Sequence, residues 1–411
     1  MPGVARTNSP CALSRVCGLI VGMRNIAKSA LLLTSLFMGC LCLANAAPMA
    51  GGKGDYFVYV GTNTAQKSKG IYVFRFSEAT GKLAPIGLAA EADNPGFLAI
   101  RPDHRFLYAV NEIGEYKGEP TGSVSAFSID RKRGKLTLLN RVASAGSGPT
   151  HLTVDKTGKY ILAANYGAGS VSLIPILSDG RLGPVKTTLE QSGHSVNPER
   201  QAEPHAHSAY FAPDNRFAVS ADLGTDKVYV YRFDASKGTL EPNDPPFVET
   251  PPGTGPRHFA FSPDGMFGYV IEEMGASITA FSYDAVRGLL KPLETVSTEP
   301  AGYKGFKSGA EIEILPDGKF LYGSNRGDNT IAAFAVDPVK GTLTRIESVP
   351  TGGKTPRNFG IDPTGRFMIA ANQDSDSLVV FRIDPKTGRL TPTGQKENVP
   401  TPICVMFEPA E

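Results

Sequence analysis

No charge of either sign dominates this chain: 42 Lys and Arg stand against 40 Asp and Glu in 411 residues. A near-neutral protein lacks the basic footprint of a nucleic-acid binder, and with 41% hydrophobic residues it has ample material for a core and is not a disordered chain. Cysteine is scarce. Four of the five, Cys11, Cys17, Cys40 and Cys42, fall in the first 47 residues, which leaves Cys404 alone in the rest. Residues 48–411 therefore cannot form an intramolecular disulfide and must rely on packing. Cys404 lies in the apolar run Pro402-Ile403-Cys404-Val405-Met406-Phe407, which predicts a buried thiol rather than a nucleophile. Heptad patterning is missing. So are a Gly-x-Ser-x-Gly elbow, a His-Glu-x-x-His pair, a phosphate loop and a Cys-x-x-Cys pair, so serine and cysteine nucleophiles, zinc peptidases and nucleotide hydrolysis all lose ground.

The longest apolar run, Ala30–Leu43, has 14 residues, short of the roughly 20 that span a bilayer. Arg24 and Lys28 precede it and Ala44-Asn45-Ala46 follows, which is the order of a secretory signal starting at Met23. Met1–Gly22 then reads as an extension, residues 1–47 as a signal peptide, and residues 48–411 as one mature, exported domain. Removing the four basic residues of the presequence leaves 38 Lys and Arg against 40 Asp and Glu. Neither a membrane nor a nucleic-acid partner is expected, and the protein should be periplasmic or secreted.

The chain is rich in turn formers, with 45 Gly and 32 Pro, and they recur in register. A turn of the form Asp-x-x-x-Gly-x-Leu, sometimes degraded, has its glycine at Gly81, Gly134, Gly180, Gly238, Gly288, Gly341 and Gly388, at intervals of 46 to 58 residues. A second turn precedes it in each full unit, as in Ser262-Pro263-Asp264-Gly265 and Asp362-Pro363-Thr364-Gly365, where Pro fixes one backbone angle and Gly supplies the left-handed one. Short β-rich runs separate the turns, so each unit reads as four antiparallel strands, A to D. Seven such units predict an all-β, seven-bladed β-propeller. The first unit lacks an A strand and the last strand, Ile403–Phe407, is surplus. Pairing the two closes the ring and removes an open sheet edge. A closed ring needs no partner for stability, so a monomer is expected.

In such a meander the A–B and C–D turns share one face, and the longer D–A and B–C loops share the other, where function is expected. The A strands, innermost in a propeller blade, begin with Pro149-Thr150-His151, Pro204-His205-Ala206-His207, Gly255-Pro256-Arg257-His258, Ala310-Glu311 and Pro356-Arg357-Asn358. The B strands end in Asn111-Glu112, Asn165-Tyr166, Asp222-Leu223-Gly224, Glu272-Glu273, Asn325-Arg326 and Asn372-Gln373. These groups should ring the mouth of the central channel. His151, His205, His258, Glu311, Arg357 and Asn358 are the candidates for substrate binding. His205 and His207 would point the same way from an extended strand, as metal ligands often do. No carboxylate at ligand spacing completes the set, so neither a metal nor another cofactor is expected. By simple alternation only one of Glu272 and Glu273 can face the channel.

Several of these motifs resemble the seven-bladed lactonase propellers, which include one type of 6-phosphogluconolactonase and the fungal carboxy-muconate lactonising enzyme. The resemblance runs from Tyr56 to Phe407 and rests on Tyr59-Val60-Gly61-Thr62, Pro204-His205-Ala206-His207-Ser208, Gly255-Pro256-Arg257-His258, Leu321-Tyr322-Gly323-Ser324-Asn325-Arg326 and Pro356-Arg357-Asn358-Phe359. It implies a catalytic set of His207, Arg257, Glu273 and Arg326. The family often has Asn-Glu where this chain has Glu272-Glu273. The implied substrate is a small sugar lactone, phosphorylated or not, with Arg257 and Arg326 on its carbonyl or an acidic substituent. Glu273 or His207 would be the general base, without a covalent enzyme intermediate. Two other readings stay open: an isomerase that lactonises a muconate-like diacid, and a non-catalytic binding propeller, since Tyr59–Asn63 also resembles repeats of cell-surface proteins.

Overall fold

The computed structural model describes residues 54–411 except Gln66. The expected signal segment, residues 1–47 with its start at Met23, lies outside the described residues. From Asp55 to Pro409 the chain forms seven four-stranded antiparallel sheets, and its one helical element among the described residues is a 3-10 turn at Gln373–Ser375. Six sheets are sequential meanders. In the seventh, the C-terminal strand Pro402–Pro409 pairs antiparallel with Asp55–Thr62, Tyr59 opposite Met406, and supplies the innermost strand of the N-terminal blade. The ring closes as the surplus strand predicts.

The repeated glycines have a packing reason. Gly341 has φ +70°, and a Cβ there would come within 2.2 Å of the Phe267 ring in the preceding blade. The Tyr269 hydroxyl of that same blade donates to the Gly341 carbonyl at 3.1 Å. Tyr322 repeats the bond to Gly388 at 2.8 Å. Each turn is thus a blade-to-blade joint, with the aromatic rings buried between sheets. Burial of such a ring stabilises by roughly 2–3 kcal/mol.

The innermost strands share an irregularity that sequence alternation does not foresee. Pro149, Pro256 and Pro356 pair with Asn165, Glu272 and Asn372, but His151, His258 and Asn358 pair with Ala164, Ile271 and Ala371. One residue, Thr150, Arg257 or Arg357, is therefore extra. His207 is the extra residue between Ala206 and Ser208, and Ile403 that between Pro402 and Cys404. A bulge of this kind bends the strand and re-aims a side chain. Repeated around the ring, it turns these residues toward the channel mouth.

Candidate functional site

A cavity of about 530 Å³ opens at that mouth, and its wall includes the bulged Thr150, His207 and Arg357 together with Glu112, Tyr166, Glu273 and Arg326. The second group follows a simple rule. At the end of several second strands, one residue is tied into the fold and the next faces the cavity. Asn325 donates to the Thr298 carbonyl at 2.8 Å, and Arg326 faces inward. Asn111 donates to the Asp93 carbonyl at 2.7 Å, and Glu112 faces inward. Glu272 accepts from Thr279 at 2.7 Å and from Ser277, and Glu273 faces inward. Of the two adjacent glutamates only Glu273 is therefore presented, as alternation requires. The extra charge at Glu272 does not reach the cavity, and burial pushes its carboxyl up, toward the neutral form.

Glu273 is the hub. Its Oε2 accepts Arg257 Nε at 3.2 Å and Arg326 Nη2 at 2.7 Å, while Oε1 accepts Arg200 Nη2 at 2.8 Å. Burial pushes this carboxyl up, but Arg326, Arg257 and Arg200 together bring it down to about 2. An anion so firmly held is a weak base. It ties together three guanidiniums that would otherwise repel one another. Arg257 is 2% exposed and also donates to the Ala310 carbonyl at 2.6 Å. Arg357 is half-buried and makes no hydrogen bond or ion pair among the described residues. Its donors are available to a ligand.

Behind the cavity lies a layer of histidines. His207, 5% exposed, meets the His258 ring at 5.2 Å and the Tyr166 ring at 5.6 Å. His258 is held by Glu311, Nδ1 to Oε1 at 2.9 Å, and Glu311 is held in turn by Asn358. His151 is fully buried between Phe97 and Tyr210, and its Nδ1 accepts the Ala209 N–H at 3.3 Å. Burial, reinforced by the nearby arginines and by His258, holds His151 and His207 well below the usual histidine range, so both are neutral. The same holds for His258, with burial again the largest cause and Arg257, Arg357 and Arg326 adding to it.

The structure thus brings His207, Glu273, Arg326 and Arg357 to the cavity wall, with Arg257 immediately beneath. His258, Glu311 and Asn358 form the supporting layer. His151 is packed below, and His205 stacks on Tyr166 at 4.5 Å with Nδ1 on the Tyr166 carbonyl at 3.1 Å, so neither lines the cavity. His205 and His207 both lean on Tyr166 and do not converge on a common point with a carboxylate. Among the described residues no group of three or more His, Cys, Asp and Glu has the disposition of a metal site.

Sequence reasoning passes over Arg200 and Phe306, and it places Glu112 on the rim without giving it a role. Arg200 and Phe306 come from loops without counterparts in the other blades. For Arg200 the signal is the longest repeat interval, Gly180 to Gly238, which contains its loop. Glu112 stands in the same strand-end position as Glu273, and that equivalence was the available signal.

The fold is a closed seven-bladed propeller, and at one channel mouth its cavity sets three arginines, Arg200, Arg326 and Arg357, among three carboxylates, Glu112, Glu273 and Asp374. Residues 57–407 match the family model described as Lactonase, 7-bladed beta-propeller, and the chain belongs to this family of lactone-cleaving carboxylic-ester hydrolases. It is 36% identical over 353 residues to a Bacillus subtilis protein named 6-phosphogluconolactonase, covering 86% of this chain and 98% of that one. A 6-phosphogluconolactonase of Formosa agariphila is 34% identical over 311 residues, 74% of this chain and 86% of that one. Among solved structures, the periplasmic gluconolactonase of Pseudomonas aeruginosa superposes with a TM-score of 0.81 at 37% identity, covering 86% of this chain and 99% of that one.

Proposed function

We propose that the chain is an exported hydrolase of a sugar lactone, of the 6-phosphogluconolactone or gluconolactone type, acting at the channel mouth without a covalent enzyme intermediate. The observation that carries this reading is the guanidinium cluster built on Glu273. Hydrolysis of a lactone develops negative charge on the carbonyl oxygen, and preorganised cationic donors in a site shielded from water stabilise that charge. Arg257 and Arg326 are held in place by Glu273 before any ligand arrives, so little reorganisation is needed at the moment of reaction. Neutral His207 can donate or accept a hydrogen bond to a sugar hydroxyl. Arg357, which has no hydrogen-bond or ion-pair partner among the described residues, suits an anionic substituent such as a phosphate, or the carboxylate of the product.

The names of the B. subtilis and F. agariphila relatives support the substrate class, and the periplasmic P. aeruginosa neighbour supports export, as does the basic-apolar-small order of residues 24–46. Among the described residues no helix is long and apolar enough to cross a membrane. The test is acid release by the purified protein from glucono-δ-lactone and its 6-phosphate, each against its spontaneous rate. A rate above background with either lactone is expected. No rate with either one overturns the reading and favours a propeller that binds without turnover.

A further inference from the structure

Beneath the main cavity is a second, much smaller chamber of about 10 Å³. That is the space one water molecule occupies. Its wall carries a dense set of polar groups for so small a volume: Glu112, Thr150, His207, Arg257, His258 and Arg357. A water needs two to four polar partners to be held in such a place, and this wall supplies them. Glu112 lines both spaces, as do Thr150, His207 and Arg357, and it is the one carboxylate residue on the wall of the small chamber.

Glu112 is also built unlike the other cavity carboxylates. Glu273 is fully engaged by arginines, and Asp374 Oδ2 accepts from Thr355 Oγ1 at 2.5 Å. The Glu112 backbone is pinned on both sides by Asn94, its N–H donating to the Asn94 carbonyl at 3.0 Å and its carbonyl accepting Asn94 Nδ2 at 3.2 Å. Its carboxylate has no hydrogen bond or ion pair among the described residues. Room for it is kept by Gly96, where a Cβ would come 3.0 Å from Glu112 Oε2. A pinned backbone with an unengaged carboxylate beside a water-sized chamber has no folding purpose. Burial pushes this carboxyl up, against the pull of Arg357 and Arg257, so it is a better proton acceptor than Glu273.

We propose that the small chamber holds the hydrolytic water and that Glu112 is the general base that takes its proton. The step rests on the sugar-lactonase reading. The water oxygen bonds to the lactone carbonyl carbon as its proton passes to a Glu112 oxygen, and Arg257 faces the oxyanion that forms. The ring carbon–oxygen bond then breaks, and the ring oxygen leaves as a hydroxyl with the proton returned by Glu112. The new carboxylic acid ionises and releases one proton to solvent. His258, held by Glu311, positions the water.

The experiment begins with wild-type turnover of glucono-δ-lactone or its 6-phosphate, whose absence would sink the lactonase reading itself. Given that turnover, Glu112→Gln should lower kcat by about 10²–10⁴-fold with little change in KM, and formate should restore part of the rate to Glu112→Ala. Rescue of this kind is not expected of a residue with a merely structural role. Gly96→Ala, which crowds the carboxylate, should lower kcat in a folded protein and keeps the test open if the Glu112 variants do not accumulate. A Glu112→Gln enzyme within about threefold of wild type in kcat, or a Glu112→Ala enzyme that formate does not rescue, overturns the assignment.

Discussion

The Arg257 guanidinium and the Glu273 carboxylate meet at 3.2 Å, both buried, and the Glu273 oxygen they share is also held by Arg326 at 2.7 Å. One anion therefore organises a set of cations whose mutual repulsion would otherwise scatter them. Removing one partner of such a buried pair leaves an uncompensated charge and typically costs about 3–5 kcal/mol.

Glu273→Gln should accordingly lower the stability of the folded protein, and the loss should depend on pH. The Glu273 carboxyl sits at about 2 in the fold against an ordinary 4.5, with burial opposing the shift and Arg326, Arg257 and Arg200 driving it. A depressed carboxyl pKa adds stability that is fully present above pH 4.5 and is lost as pH falls toward 2. The contribution is roughly 3 kcal/mol. Urea unfolding of wild type and Glu273→Gln should show a wide gap at pH 7 that narrows below pH 4.

Glu311 should behave in the opposite way. Burial pushes its carboxyl up to about 7, against the pull of Arg257 and its hydrogen bonds to Ile312 and Asn358. The folded state then holds a proton that the unfolded state has released, so stability falls as pH rises from 4.5 through 7. In Glu311→Gln this decline should be absent. Unfolding midpoints of the two proteins between pH 5 and pH 8 would show it, and parallel profiles would contradict it.

Ring closure can be read from one sulfur. Cys404 lies in the closing strand, fully buried, and burial pushes its thiol far up. In residues 48–411 it is the single cysteine. In protein purified as residues 48–411, a thiol reagent should find no reactive group in the native state and one after denaturation. Full reaction of the native protein would mean that the strand is not docked.

Arg357 has no hydrogen-bond or ion-pair partner among the described residues, so Arg357→Gln should leave the thermal midpoint nearly unchanged. Its effect should appear in binding. A lost charge-assisted hydrogen bond should raise KM for the 6-phosphate lactone by about tenfold or more, and KM for the neutral lactone by less. Equal effects on both lactones would show that Arg357 does not read the anionic group.

The blade count, the closing strand and the face that carries the cavity were all legible in the sequence, because turn glycines and prolines are local chemistry and recur seven times. The rim residues were legible as a set. Their division of labour was not. His151 and Glu311 occupy strand starts just as Arg257 does, and only the bulges decide which residue turns into the cavity and which packs beneath it. A bulge is a two-against-one pairing between strands, so it leaves no mark in either strand read alone. Glu112 was placed on the rim but given no role, for a different reason. What sets it apart is the absence of a partner for its carboxylate, and that is a property of the folded neighbourhood.

The most direct test of a lactonase site built on fixed guanidiniums is kcat for Arg257→Ala on the preferred lactone, with folding checked by the unfolding midpoint. Loss of one preorganised donor to a developing oxyanion should lower kcat by about 10²–10³-fold. A folded variant that keeps kcat within about tenfold of wild type would contradict the role assigned to the cluster.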